Sequence, residues 1–364
     1  MSSIKVVHLT SAHPRYDSRI FHRMCRTLAQ RYDVTLVVAD GKGDEECNGV
    51  RIRDVDAPTS RKERLLVTTR RVLQKALELD AHIYHLHDPE LIFAGLQLKK
   101  AGKKVIFDAH EDLPKQMLSK HYLHPFVRRA AAGIYERVER LALRRFDYIV
   151  AATPRIREKF TKMGMRCVDI DNFPRKEEFA DIEPDYSGNR ICYIGSLYPT
   201  RGIGELVEAL EDLDVELVVA GKFHDREYEE RVRSLPGWKK VDFRGYVGLE
   251  EIRKILAESF AGAVTLHPTP AYVEAYPVKL FEYMLAGLPV IASRFYQGLY
   301  KDGGIGVDPK DVDAIKRAIL ALREGHRAAE LGARARGLAL RHYCWEMEEL
   351  KLFGVYDAVA RDLL

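Results

Sequence analysis

Glu274-Ala-Tyr-Pro-Val-Lys-Leu-Phe-Glu282, running on as Tyr-Met-Leu-Ala-Gly287-Leu-Pro289-Val-Ile-Ala-Ser293, decides the reading of this chain. Pro277 suits a first helical turn, and residues 278–286 carry apolar side chains at helical spacing. Gly287-Leu-Pro289 then reads as helix stop and turn, and Val290-Ile-Ala292 as a buried parallel strand. The two carboxylates lie eight positions apart, a little over two turns, so both are expected on one side of that helix. Ionised carboxylates only accept hydrogen bonds, so such a pair suits a polyhydroxylated ligand.

Outward from this segment, apolar runs alternate with amphipathic helical stretches, the pattern of parallel sheets covered on both faces. Strands are expected at 4–10, 34–39, 82–86, 105–108, 148–151 and 167–170, and again at 191–195, 215–220, 240–243, 262–266, 290–292 and 306–307. Between the series, residues 174–189 are rich in charge, Pro and turn formers and read as a linker. A chain of 364 residues is long for one core, and two doubly wound halves in tandem fit it. Ligands of such sheets bind beyond the carboxyl ends of the strands, here in a cleft between halves. The last segment, 339–364, reads as one helix with Trp345, Leu350, Phe353, Tyr356 and Val359 on an apolar stripe.

Composition narrows the function. Apolar content of 46% and charged content of 31% are those of a globular domain. The five cysteines are scattered without zinc spacing, and no His-Glu-x-x-His occurs. Four Asp-x-Asp triplets, starting at Asp54, Asp169, Asp212 and Asp311, read as composition rather than as metal sites. No metal and no cofactor are expected. The N-terminus lacks a basic region and cleavage site, so a cytoplasmic location is expected. Residues 1–173 hold 32 Lys and Arg against 22 Asp and Glu, leaving 26 against 32 in the remainder. The basic half suits a phosphate-bearing substrate or anionic lipid; without a helix-turn-helix, zinc finger or aromatic RNA motif, nucleic acid is not an expected partner. Residues 126–145 carry six Arg against two Glu on a helical pattern, and with 120–125 read either as a peripheral membrane contact or as an internal helix with a solvated basic face.

Gly195-Ser196-Leu-Tyr-Pro-Thr-Arg201-Gly202 follows a buried strand and precedes a helix at 204–210. Free backbone N–H groups, a helix start and an arginine make an anion site. Gly221-Lys222 and Gly245-Tyr246-Val247 end two further strands. In the first half, Phe107-Asp108-Ala-His110-Glu111-Asp112 and His85-Leu-His87-Asp88-Pro-Glu90 close strands with polar clusters, and Ser11–Arg19 follows the first strand without a glycine. Asp17, Ser18 and Arg19 there suit a helix start as well as an acceptor contact.

The Glu-x7-Glu spacing with its Ala-Gly-Leu-Pro-Val-Ile-Ala-Ser tail resembles the retaining GT-B glycosyltransferases of the GT4 family, glycosyl transferases group 1, and the likeness recurs along nearly the whole chain. It implies an α/β GT-B fold, two Rossmann-like domains facing a central cleft. Residues 1–173, joined by the C-terminal helix 340–364, would bind the acceptor, and 190–339 the nucleotide sugar. The implied activity is hexosyl transfer from a UDP- or GDP-sugar to a saccharide or lipid-linked saccharide, with retention and without metal, in cell-surface polysaccharide or lipopolysaccharide assembly. The diphosphate would meet Gly195, Ser196 and Arg201, the nucleobase the backbone near Tyr246 and Val247, beside Gly221 and Lys222. Glu282 would hold the ribose and Glu274 the transferred sugar.

The family usually carries two cations in the diphosphate loop, and this chain has Ser196 in place of one. Lys279, in the family's Pro-x-Lys-Leu280-x-Glu variant, reads as its substitute or as a solvated helix lysine. His110 matches in position the family's histidine that lines the donor sugar near the reacting centre; with Glu274 and Arg201 it makes the expected catalytic set. Asp17, Arg19, His87, Asp88, Glu90 and Glu111 are assigned to the acceptor side. A nucleotide-sugar epimerase of this fold and a non-catalytic nucleotide-sugar-binding protein are the rival readings. A nicotinamide dehydrogenase is disfavoured because Gly202-Ile-Gly204 lacks the third glycine.

Overall fold

The alternation of apolar strands and helices builds two separate sheets in a computed structural model that describes residues 4–118 and 125–363. The chain divides into one unit of Met1–Asn172 with Glu348–Leu364 and a second of Phe173–Met347.

The first unit holds β1 (Lys5–Leu9), β2 (Asp33–Val38), β3 (Glu45–Cys47), β4 (Val50–Asp54), β5 (Ile83–Leu86), β6 (Lys104–Ala109), β7 (Tyr148–Ala151) and β8 (Cys167–Asp169), in the order β3-β4-β2-β1-β5-β6-β7-β8. All neighbours are parallel except β3 and β4. The sequence pattern predicts only six strands here. The additional pair is an edge hairpin turned at Asn48 and Gly49, both at positive φ (51° and 75°), and its charged alternation Val50-Arg-Ile-Arg hides it among surface sequence. Helices α1 (Thr69–Leu79), α2 (Ile92–Lys100) and α3 (Pro125–Leu143) follow β4, β5 and β6. Val72, Ala76, Leu98 and Leu143 pack with Val7, Leu9, Tyr84, Leu86 and Phe107 on one sheet face. Alternation along β1, β5 and β6 sends His8, His85 and Asp108 to the other face.

The second unit is a six-stranded parallel sheet of β9 (Arg190–Ile194), β10 (Glu216–Ala220), β11 (Val241–Gly245), β12 (Ala261–Val264), β13 (Val290–Ser293) and β14 (Gly304–Val307), in the order β11-β10-β9-β12-β13-β14. Each face has its own apolar cluster, one around Leu280, Phe281 and Tyr283 of α4 (Val278–Leu285), the other around Ile203, Leu206 and Ile315.

Two boundaries differ from the sequence expectation. Residues 174–189 are not a free linker: Lys176–Phe179 is helical, and Phe173, Phe179 and Ile182 are buried in the core of the second unit. The C-terminal stretch is two helices, α5 (Arg327–His342) and α6 (Trp345–Ala360), interrupted at Tyr343-Cys344. Trp345 is fully buried and donates its N–H to the Pro174 carbonyl at 2.8 Å, which ties the start of α6 to the second unit. Only Glu348–Leu364 joins the first, so residues 340–347 change sides relative to the expectation. Among the described residues, no helix is long and apolar enough to cross a membrane.

Candidate active site

Strand order in the second sheet reverses between β9 and β12, and a cavity of about 300 Å³ opens beside them, lined by Tyr193, Ile194, Ala263, Val264 and the Arg201 and Lys279 side chains. A reversal of this kind leaves a crevice at the carboxyl ends of the strands. The loops there are fastened to one another. Gly195 N–H donates to Ala220 O at 2.9 Å, Leu197 N–H to Lys222 O at 2.9 Å and Gly221 N–H to Gly245 O at 2.7 Å. A Cβ on Gly221 would stand 1.8 Å from the Gly195 oxygen, and one on Gly202, at φ +70°, 2.1 Å from the Thr265 oxygen. Glycine is demanded at both places by backbone crossings alone.

This stiff loop holds the Arg201 guanidinium over the Tyr272 ring, 5.5 Å from its centroid. Its Nε is buried and, among the described residues, has no hydrogen-bond partner. A buried donor left unpaired is destabilising by about 1–3 kcal/mol, more for a charged group, and an anion in the cavity would satisfy it. Lys279, in the first turn of α4, bonds Glu282 Oε2 at 2.5 Å. Glu282 is only 8% exposed. The phenols nearby are anchored inward: Tyr193 donates to Ser196 O at 2.9 Å and Tyr296 to Tyr272 O at 2.7 Å, and burial pushes both phenols up.

Placement of the expected donor residues is mixed. Glu274 is exposed at the end of the short helix Pro270–Val273, ahead of α4, so the two acids do not share one side of a helix. Leu280 is wholly buried in the core and supplies packing, not a ligand contact. Lys222 is exposed, Val247 packs against the core, and Tyr246 stands 91% exposed after β11.

In the first sheet the order reverses between β2 and β5 about β1, and a second cavity of about 230 Å³ is lined by His13, His87, Asp88, Asp108, His110 and Glu111, among others. His8 pairs with His85 across β1 and β5; His87 lies two positions on, and Asp108 two beyond Ile106, the partner of His85. Period-two alternation therefore brings all four to one face. His87 Nδ1 lies 3.1 Å and His110 Nε2 2.9 Å from Asp108 Oδ2. Arg19 closes the carboxylate from the other side, with Nε and Nη2 at 2.9 and 2.8 Å, while Nη1 donates to Ile170 O at 2.7 Å. Burial pushes His8 and His85 down and His87 to about 3. Burial alone would raise the Asp108 carboxyl, but Arg19 and His110 overcome it and hold it well below the carboxylate range. His13 is raised by its bond to Asp17.

Two acceptor-side assignments are corrected here. Arg19 is a buried partner of Asp108, and Asp17 accepts the N–H groups of Arg19 and Ile20 as a helix cap. Asp88, which accepts from Ser11 N–H and Thr10 Oγ1, lines the cavity with His87 and Glu111, whereas Glu90 pairs with Arg64 at 3.0 Å. Sequence reading misses His8, His85, Asp108 and Tyr356 as site residues, while His13 lies in the Ser11–Arg19 loop read as acceptor-side. The signal for His85 and Asp108 is polar residues two apart, His85-Leu-His87 and Asp108-Ala-His110, inside otherwise apolar central strands. The trios His8-His85-His87 and His87-Asp108-His110 each bring donor atoms within 4.8 Å, and the separations to Asp108 are those of hydrogen bonds. On α3, Phe126, Ile134 and Leu141 are exposed together with Arg129, Arg137 and Arg140; residues 120–124 of the expected membrane segment lie outside the described residues.

Comparison with known proteins adds the family. Residues 18–175 match the model of a glycosyl transferase 4-like domain and residues 188–324 that of glycosyl transferases group 1. O-antigen chain mannosyltransferase B of Escherichia coli is 29% identical over 170 residues, 42% of this chain and 42% of its own length. Phosphatidyl-myo-inositol mannosyltransferase of Mycobacterium leprae is 29% identical over 183 residues, 48% and 47% of the two. The match thus spans less than half the length of these relatives. Sucrose-phosphate synthase of Thermosynechococcus elongatus shares the fold at a TM-score of 0.75 and 17% identity, over 99% of this chain and 100% of that one. An α,α-trehalose-phosphate synthase of Burkholderia xenovorans does so at 0.67 and 15%, over 97% and 99%. With two parallel-sheet α/β units, the first matched by one model and the second by the other, this GT-B chain belongs to the GT4-type glycosyltransferases.

Proposed function

We propose that the chain transfers a hexosyl group from a nucleotide sugar to a saccharide or lipid-linked saccharide, with retention and without a metal, in cell-surface polysaccharide assembly. The observation that carries this is the buried, unpartnered Nε of Arg201 in the cavity between β9 and β12, with Lys279 on the same wall. Two cations on a stiff scaffold neutralise the charge that grows on a departing diphosphate, so a metal has little left to do there. Glu282, buried one turn along α4 from Lys279, suits ribose hydroxyls, and exposed Glu274 the transferred sugar. Retention follows from attack on the face that the diphosphate leaves, a phosphate oxygen taking the acceptor proton. The cavity of the first unit, rich in hydroxyl-binding side chains, takes the acceptor.

Mannosyl donors come first because three curated relatives carry mannosyltransferase in their names. The basic, apolar-studded face of α3 supports peripheral contact with an anionic membrane from the cytoplasmic side. Nucleotide release is measured from UDP-, GDP- and ADP-hexoses in excess chelator, with simple and lipid-linked sugar acceptors. Release from one donor that persists in chelator and collapses in Arg201→Ala is the expected result. Conversion to a new nucleotide sugar without acceptor would replace the transferase reading with an epimerase.

A further inference from the structure

The polar face of the first sheet has a direction. Asp108 is an ionised carboxylate gripped by Arg19 and can only accept. His87 must therefore carry its proton on Nδ1, 3.1 Å from that carboxylate, which leaves Nε2 bare. His8 Nδ1, 2.8 Å from His87 Nε2, must donate in turn, and its own Nε2 becomes an acceptor. The Tyr356 hydroxyl, 3.1 Å away on α6, gives its single proton to His8 Nε2 and receives one from His85 Nδ1 at 2.9 Å. His85 Nε2 is then a bare lone pair, and it is indeed buried without a partner among the described residues. Every proton from His85 to Asp108 is assigned by one ionised carboxylate. All the imidazoles in this run are buried and kept neutral by desolvation.

The same logic governs His110, which lines the cavity and meets Asp108 Oδ2 through Nε2 at 2.9 Å. Its neutral form must place the proton there, so Nδ1, without a hydrogen-bond partner among the described residues, is the bare nitrogen of a ring that lines the cavity. We propose that Asp108 is the positioning residue of this cavity: paired with Arg19 and fed by a one-way row of donors, it fixes the neutral form of His110 as an acceptor through Nδ1 for a hydroxyl of the bound sugar. The ligand class rests on the transferase reading; the tautomers do not. The consequence is selective. A ligand hydroxyl can donate to His110, whereas a carbonyl or carboxylate oxygen at the same place meets a lone pair.

The test is long-range 1H–15N correlation on the whole chain with labelled imidazoles, read for tautomers without any substrate. His87 and His8 are expected with the proton on Nδ1, against the usual preference of free imidazole, and His110 on Nε2 alone. A proton on Nε2 of His87, or signals that change on adding chelator because a metal sits among these rings, would overturn the proposal. Asp108→Asn, kept only if its melting profile shows a folded protein, should turn His110 into a mixture of tautomers and lower kcat about tenfold with donor KM within about threefold. A folded variant with one His110 tautomer and wild-type kcat would also overturn it. Because the spectra need no turnover, the tautomer test holds even where a transferase assay fails.

Discussion

The two strand-end cavities are built on opposite principles. In the first unit, the charged groups beneath the cavity are consumed by their neighbours, Arg19 by Asp108 and Ile170 and Asp88 by Ser11 and Thr10, as is His87 by His8 and Asp108, and among the described residues only the uncharged nitrogens His85 Nε2 and His110 Nδ1 stay bare. In the second, the guanidinium brought to the wall is left incomplete at Nε. Satisfied polar groups hold a shape, and incomplete ones wait for a ligand. The difference teaches which arginine to suspect, since both are partly or wholly buried and both follow a first strand.

The contrast breaks most visibly at Arg19. Arg19→Met takes from Asp108 the guanidinium that grips it and leaves only the two imidazoles, and removing one member of a buried ion pair is destabilising by about 3–5 kcal/mol. Denaturant unfolding should register that loss for the first unit. Arg201→Ala is the converse: turnover should fall about 10²–10³-fold with the unfolding curve little changed. Were Arg201→Ala to unfold the second unit as severely as Arg19→Met unfolds the first, the distinction between the two arginines would be gone. A smaller effect sharpens the second cavity. Glu282→Ala should weaken nucleotide binding about tenfold in calorimetry, whereas Glu274→Ala should bind nucleotide normally and turn over slowly.

The smallest effect concerns Asp171, whose carboxyl is pushed up to about 7 by burial and by Glu348 and Asp169. An acid raised on folding contributes stability that is complete below its unfolded pKa near 3.8 and is lost as pH climbs through 7. Asp171→Asn should therefore melt about 3 °C above wild type at pH 8 and level with it at pH 4. An equal gain at both pH values would mean that packing, not charge, is at work.

What the sequence reveals divides along physical lines. The helix, turn and strand from Val278 to Ser293 are legible because Pro277, Gly287 and Pro289 mark their ends locally. The edge hairpin at Glu45–Asp54 is also marked, by Asn48-Gly49, but charged edge residues mask it. The break before Trp345 is not legible: the apolar stripe continues across Tyr343-Cys344, and only burial of the indole against the second unit interrupts the helix. Of the site, Arg201 and Glu282 stand out by residue type and spacing. Asp108 does not, since its importance lies in direct partners at positions 19, 87 and 110 and, behind His87, in His8 and Tyr356, which only the folded sheet assembles.

The excursion of the chain through the second unit has a bearing on biosynthesis. Translation delivers Met1–Asn172 first, yet the helix that brings Tyr356 to His8 and His85 arrives only after Phe173–Met347 has been made. During that interval a row of imidazoles lies under no finished roof, while the second unit already has every residue it needs. A chain truncated before Glu348 and released should thus display a protease-resistant second unit and a first unit still open on its histidine face.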